Sequence, residues 1–170
     1  MIYVAIAVLI VLLIYIGLRT ACNQFQFTII IRPKIPFYVL QWTWGILMNI
    51  AGLVGLVIGL CFKKKPERFG RDILIPTTGY WGLSLGMFVF ANPIYKDMLC
   101  HEHGHSFQNA VFGPFMILLV GIPSVIRFWY REAVYKWGNY RKLPDYDAIW
   151  FEGMATKSGI TFMEEYKNAK

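Results

Sequence analysis

The sequence predicts an all-α integral membrane protein, a helical bundle with about four hydrophobic passes in a single domain of residues 1–170. Only 16% of the residues are charged, whereas soluble domains carry about 25%. The basic residues also lie mainly between or after long apolar runs, which is typical of topology signals in membrane proteins. Each run approaches or exceeds the ~18–20 apolar residues that cross a bilayer core. The predicted passes are residues 1–18, 35–62, 73–95 and 106–128, followed by a polar C-terminal segment of residues 129–170.

The first pass, Met1–Leu18, is interpreted as an uncleaved membrane anchor. A signal peptide would carry Lys or Arg before its apolar core and an A-x-A cleavage site after it, and this run has neither. Beyond it, Gln24–Ile31 alternates polar and apolar residues up to a proline at position 33. This pattern predicts a short strand or an extended surface segment.

The later passes are predicted from apolar runs and the residues that break them. The second is rich in glycine, which favours close helix packing in membranes, and the basic cluster Lys63–Arg68 after it predicts a cytoplasmic loop. The third leads to a helix predicted over about residues 93–112. Gly113-Pro114 breaks the pattern after that helix. In the tail, a turn near residue 144 precedes an amphipathic helix predicted over about residues 147–166.

The net charge of +7 does not indicate nucleic-acid binding, because the basic residues flank apolar runs. They predict contacts with an anionic lipid bilayer instead. The three cysteines, Cys22, Cys61 and Cys100, are odd in number and widely spaced, so they predict no disulfide framework. Nothing in the sequence indicates an oligomeric state.

The chemistry of the chain is indicated by His101-Glu102-His103-Gly104-His105, which matches the zinc-peptidase pattern H-E-x-x-H. On a helix, His101 and His105 lie one turn apart and can bind one metal ion. Glu102 lies about 100° around the helix and can reach a water bound to that metal. His103 points elsewhere and is predicted at the surface or behind the ligands.

A catalytic zinc usually has three protein ligands and a water. The candidates for the third ligand are carboxylates of the tail. Glu152 is preferred because residues 152, 155, 156 and 159 share a helix face on which the other three are small. Such a stripe can approach another helix closely, and Gly104 would ease the same approach. The other candidates are Glu132, Asp145, Asp147, Glu164 and Glu165.

These two segments resemble the gluzincin metallopeptidases, in particular the membrane-embedded CaaX-prenyl-protease family, in which an HE-x-G-H helix is followed by an E-x-x-A segment. Here HEHGH spans 101–105 and EGMA spans 152–155. The resemblance implies that His101, His105 and Glu152 are ligands of Zn²⁺ and that Glu102 is the general base. Gluzincins often carry an aspartate four residues after the glutamate, where this chain has Thr156. A threonine hydroxyl can accept the imidazole N–H but holds it less firmly without charge.

The stretch HEHGHSFQ with FGPFMILLVGIPSVI is also similar to a group of small bacterial membrane proteins of uncharacterised function that carry HE-x-G-H. This similarity implies a bacterial protein of the inner (cytoplasmic) membrane and implies no substrate. Other residues are candidates for lining the site or contacting substrate. Gln108 and Asn109 lie one turn beyond the ligands and could instead cap a neighbouring backbone group. The candidates for stabilising a developing oxyanion are Tyr140, Arg141 and Tyr146.

Four simple crossings would separate Glu152 from the histidines, because the tail would lie on the opposite face of the membrane. Two alternatives restore the site: the motif helix dips into the bilayer, or the segment after Gly113-Pro114 is re-entrant. The sequence therefore predicts a zinc metallopeptidase that hydrolyses membrane-associated peptides or proteins. The alternative is a non-catalytic membrane scaffold or pseudoprotease that keeps the fold. Metal transport is disfavoured because the apolar runs offer almost no intramembrane ligands.

Overall fold

The computed structural model describes residues 2–24, 33–138 and 143–168. Helices dominate these residues, and a four-stranded sheet lies between the third and fourth helices. Short 3₁₀ and π-helical turns at Gly113–Phe115, Ile117–Gly121 and Tyr146–Ala148 join the later helices. The helices are α1 (Ile2–Gln24), α2 (Lys34–Trp42), α3 (Ile46–Cys61), α4 (Lys96–Phe112), α5 (Ile122–Trp137) and α6 (Trp150–Asn168), and the strands are β1 (Glu67–Phe69), β2 (Asp72–Pro76), β3 (Gly82–Leu85) and β4 (Phe88–Ala91).

The sheet shows that the all-α prediction is wrong. Its strand order is β1-β2-β4-β3, with β2 parallel to β4 and the other pairs antiparallel. The run that was predicted as a third pass, residues 73–95, supplies most of β2 and all of β3 and β4. Gly79 and Gly86 have φ of 85° and 65°, a conformation that suits turns and that other residues rarely adopt. The apolar residues of β2 and β4 in this run are largely buried within the protein.

The prediction of four hydrophobic passes is also wrong. Within the described residues, no single helix is both long and apolar enough to cross a bilayer. The second run is divided into α2 and α3, whose axes differ by 86°, and the fourth is bent by 117° after α4. The second break follows from Gly113, at φ 55°, and from Pro114, which has no N–H to continue a helix. The strand predicted over residues 24–31 lies outside the described residues, except that Gln24 ends α1.

The motif helix α4 begins at Lys96 and packs chiefly against α6. The two backbones touch at small residues. A Cβ at Gly104 would overlap the carbonyl oxygen of Ala155, and a Cβ at Gly159 would overlap the carbonyl oxygen of Cys100. The close approach expected from the small-residue stripe is therefore present. It brings the start of α6 within side-chain reach of the histidines.

The sheet packs on α4 through His103. His103 is fully buried, and its Nδ1 lies 2.5 Å from Oδ2 of Asp72 on β2. Ser106 donates a hydrogen bond of 2.7 Å to Oδ1 of the same carboxylate. Of the two places predicted for His103, the surface is wrong, because this buried residue links the helix to the sheet.

Candidate metal centre

Three donor atoms converge at the contact of α4 and α6. Nε2 of His101 lies 3.2 Å from Nε2 of His105 and 3.1 Å from Oε2 of Glu152. The remaining pair, Nε2 of His105 and Oε2 of Glu152, is 3.2 Å apart. Tetrahedral ligands with bonds of ~2.0–2.1 Å lie about 3.3 Å from one another. These three residues could therefore hold a metal ion.

The outer nitrogens of both imidazoles have partners that direct the inner nitrogens toward this centre. Nδ1 of His105 is 2.7 Å from Oε1 of Gln108, whose amide nitrogen donates to the carbonyl of Phe151 at 2.7 Å. Nδ1 of His101 is 2.7 Å from the hydroxyl of Thr156. Such contacts fix the orientation of a ligand imidazole and raise its basicity. Gln108 and Thr156 thus both contact the centre's histidines.

Thr156 is hydrogen-bonded to a carboxylate whose role here was not predicted from the sequence. Its hydroxyl donates to Oδ1 of Asp147 at 3.0 Å while accepting from His101. Asp147 lies nine residues earlier, before the start of α6. A carboxylate therefore acts on His101 through the threonine hydroxyl.

The second oxygen of Glu152 is held by two hydroxyl groups. Ser124 on α5 donates to Oε1 at 2.6 Å, and the hydroxyl of Tyr146 lies 3.3 Å from the same oxygen. Glu152 is fully buried, so its second oxygen needs donors from the protein. Ser124 was missed by sequence reasoning. The available signal was its position as the one polar side chain in the run from Phe115 to Ile126.

Glu102 lies beside the three converging residues and is not one of them. Its side chain is 6% exposed and packs against the backbone of Gly82, the first residue of β3. A Cβ at Gly82 would lie 2.7 Å from Cγ and 2.8 Å from Cδ of Glu102, so only glycine leaves room for this carboxylate. Burial raises the pKa of Glu102, and the nearby charges of His105 and His101 partly offset the rise.

Neighbouring groups shift the pKa values of His105 and Glu152. Burial alone would lower the pKa of His105, but the hydrogen bond with Glu152 and the charges of Glu102 and Glu152 raise it to about 9. Burial would raise the pKa of Glu152, yet its hydrogen bonds with His101 and His105 hold it well below the ordinary value. Without a metal, the raised pKa favours a protonated His105 and the lowered pKa an ionised Glu152. A metal ion bound here would displace the imidazole proton. A carboxylate anion facing two imidazoles is a donor set that suits a divalent cation.

Tyr146 is positioned over the centre by two arginines of α5. Its ring packs on His101 at 5.7 Å, and Arg127 and Arg131 stack on it at 5.7 and 5.6 Å. The same arginines donate to backbone carbonyls of residues 144–146. Burial, together with the charge of Glu152, raises the pKa of Tyr146 to about 12. The phenol therefore stays protonated and can donate a hydrogen bond.

One further sequence candidate within the described residues, Asn109, does not reach the centre. Asn109 is buried on another side of α4 and donates to Gln41 at 2.6 Å and to the carbonyl of Gly45 at 3.1 Å. Tyr140 and Arg141 lie outside the described residues. Among the described carboxylates first considered as third ligands, Glu152 is the one that joins the two histidines.

We expect Thr156→Val to weaken zinc binding by about 10–100-fold, because His101 would lose the partner that orients its ring. The matched control is Thr161→Val on the same helix, whose hydroxyl bonds only the carbonyl of Lys157 among the contacts described. Competition with a chromophoric chelator measures both affinities. Equal affinities for the two variants would contradict the role given to Thr156.

No protein-family model, no curated protein and no solved structure matches this chain.

Proposed function

We propose that this chain is a zinc-dependent peptidase that cleaves membrane-associated peptides or proteins. The observation that carries the proposal is the convergence of His101, His105 and Glu152, with a second carboxylate, the non-ligand Glu102, beside them. Two imidazoles and one carboxylate are a common protein ligand set of catalytic zinc. They leave a coordination position for water. Zinc bound there would lower the pKa of that water toward ~7 and so supply the nucleophile.

We assign the proton transfer to Glu102. It is buried, it lies next to both histidines, and burial keeps its pKa above the ordinary value for a carboxylate. A general base works best when its pKa is close to the working pH. Glu102 would take the proton from the attacking water and deliver it to the nitrogen of the departing amine.

Tyr146 would turn its hydroxyl away from Glu152 to donate a hydrogen bond to the carbonyl oxygen of the substrate. Of the three residues predicted for this task, it is the one that the structure describes at the centre. Its hydroxyl contacts the ligand carboxylate, and its ring contacts His101. A donor fixed beside a ligand is near the place where negative charge develops during hydrolysis.

The sheet supports a peptide as the substrate class. β3 pairs only with β4 in the sheet that the described residues form, so one of its edges is free. An edge strand presents unpaired N–H and C=O groups that an extended peptide can pair with. β3 begins at Gly82, directly against Glu102. A peptide added along β3 would therefore carry its backbone past the proposed base.

We also propose that the protein lies in the inner (cytoplasmic) membrane of a bacterium. The support is the charge content of 16% and the many large apolar side chains exposed on α1, α3 and α5. Monomeric soluble proteins rarely expose contiguous apolar patches larger than a few hundred Å².

The test of the peptidase proposal is metal content together with cleavage. We expect the purified chain to carry one zinc ion and to cleave a mixed peptide library. Removing the metal with a chelator should abolish cleavage, and one equivalent of zinc should restore it. A chain that takes up no stoichiometric zinc, or that cleaves equally well without it, would overturn the proposal.

A further inference from the structure

Two bends of the chain lie against each other and form one tip, here called the paired bends: residues 43–45 between α2 and α3, and residues 113–116 between α4 and α5. Trp44 joins them. Its indole packs on Phe115 at 6.1 Å and its Nε1 donates to the carbonyl of Val111 at 3.0 Å. Gly113 admits the indole, because a Cβ there would overlap it.

The backbone at the first bend is satisfied by buried carboxamides instead of by water. Asn49 donates to the carbonyl of Gln41 at 2.5 Å, and Asn109 donates to the carbonyl of Gly45 at 3.1 Å. The N–H of Gly45 donates to the carbonyl of Leu40 at 2.8 Å. The side chains of Asn49 and Asn109, and that of Gln41 which both also contact, are fully buried. Irregular backbone at membrane depth is tolerated only where protein or enclosed water satisfies it, and this bend meets that condition.

The surface beside the paired bends is apolar and uncharged. Residues 35–62 and 106–126 contain no Asp, Glu, Lys or Arg. Large apolar side chains that face outward run along α3 and along the chain from the second bend into α5. They are Ile46, Leu47, Ile50, Leu53, Val54, Val57, Ile58 and Leu60 on the first, and Phe115, Ile117, Leu118, Ile122, Val125 and Ile126 on the second.

The helices that lead away from the paired bends are here called their arms. Basic residues lie at the far ends of these arms. Lys34 starts α2, Lys63–Lys65 follows α3, and Arg127 follows the apolar part of α5. Acidic residues are absent from the neighbouring apolar stretches. An uncharged tip with basic residues at the outer ends of its arms is complementary to a bilayer with anionic headgroups.

We infer that the paired bends insert into one leaflet of an anionic bilayer and that the metal centre lies at the headgroups of that leaflet. His105 is eight residues before Gly113, about 12 Å along the helix, and one leaflet of hydrocarbon is ~15 Å deep. For its substrate class this inference rests on the proposed function: the peptide cleaved would lie just outside the hydrocarbon, next to a membrane anchor. The lipid contact itself does not rest on that function.

Depth-dependent quenching tests the insertion. The full chain, with Cys22→Ser, Cys61→Ser and Cys100→Ala, is labelled with bimane at one introduced cysteine. It is reconstituted in phosphatidylcholine–phosphatidylglycerol vesicles with or without brominated acyl chains. Leu118→Cys and Ile50→Cys each lie five residues from the glycine of a bend, and these side chains are 64% and 50% exposed. Tyr80→Cys is the matched control on the sheet side, where Tyr80 is 66% exposed.

We expect brominated lipid to quench the labels at 118 and 50 and to leave the label at 80 unchanged. Iodide added outside the vesicles should quench a label at Lys65→Cys and the label at 80 to the same extent, since both would face one side. The insertion would be overturned if iodide, and not brominated lipid, quenched the label at position 118. A label at position 118 that neither quencher reaches would also overturn the insertion, because it would indicate a second copy of the chain on this surface. Opposite sidedness of positions 65 and 80 would overturn the one-leaflet placement. These measurements need no zinc and no cleavage, so their failure is distinct from failure of the peptidase proposal.

Discussion

Replacing Glu102 with glutamine should reduce peptide cleavage by about 10²–10⁴-fold, the usual contribution of a general base. The side chain keeps its size, so it still fits against Gly82, but an amide cannot take a proton from water. Glu102 is not among the three converging donors, so the variant should keep one zinc per chain. Metal analysis and single-turnover cleavage assays measure the two effects separately.

Glu132→Gln is the matched control, because Glu132 lies on α5 and was considered as a ligand without joining the centre. It should cleave like the parent chain. Cleavage that survives Glu102→Gln would place the base elsewhere. Zinc bound normally by a chain that never cleaves, with or without Glu102, would favour the scaffold alternative.

Gly104→Ala should lower the free energy of unfolding by about 1–3 kcal/mol or more and should abolish tight zinc binding. Alanine in place of a helical glycine normally gains up to ~1 kcal/mol. Here the added Cβ would overlap the carbonyl oxygen of Ala155, and backbone cannot move aside as a flexible side chain can. The helices α4 and α6 would have to separate, which withdraws Glu152 from the two histidines.

The control for this change is Gly121→Ala. A Cβ at Gly121 meets only the carbonyl oxygen of Met116, at 3.7 Å, which is an ordinary contact. Thermal melts of both variants in chelator compare their stabilities without metal. Titration with zinc then compares their affinities for the metal. The close packing of α4 on α6 would not be required if Gly104→Ala melted like Gly121→Ala and bound zinc with the affinity of the parent chain.

The candidate site could be predicted from the sequence further than the fold could. The spacing of His101 and His105 is a property of any α-helix, so their convergence needed no tertiary knowledge. Glu152 was selected by the small residues that follow it on the same face. The structure shows why that signal worked, because Gly104 and Gly159 let two backbones touch.

The parts that could not be predicted depend on contacts between distant segments. Ser124 bonds Glu152, which is 28 residues later, and Asp147 bonds Thr156, which is nine residues later. Neither spacing is a helix or strand period that a sequence pattern would show. Gly82 is informative only once β3 is known to pass Glu102.

The sheet was missed because a buried strand and a membrane helix are both uncharged and apolar over short windows. In residues 73–95, Gly79 and Gly86 mark turns, and their spacing would have favoured strands of four or five residues over one long helix. The segment after Gly113-Pro114, for which a re-entrant path was one of two alternatives, is bent by 117°. That bend returns the tail to the side of the histidines.

X-ray absorption at the zinc edge of the purified, zinc-loaded chain tests the central claim most directly. We expect scattering from two imidazole rings and from light atoms only, with nitrogen and oxygen at ~2.0–2.2 Å, supplied by His101, His105, Glu152 and water. A sulfur scatterer at ~2.3 Å, or a single imidazole in the fit, would contradict this ligand set and the peptidase chemistry built on it.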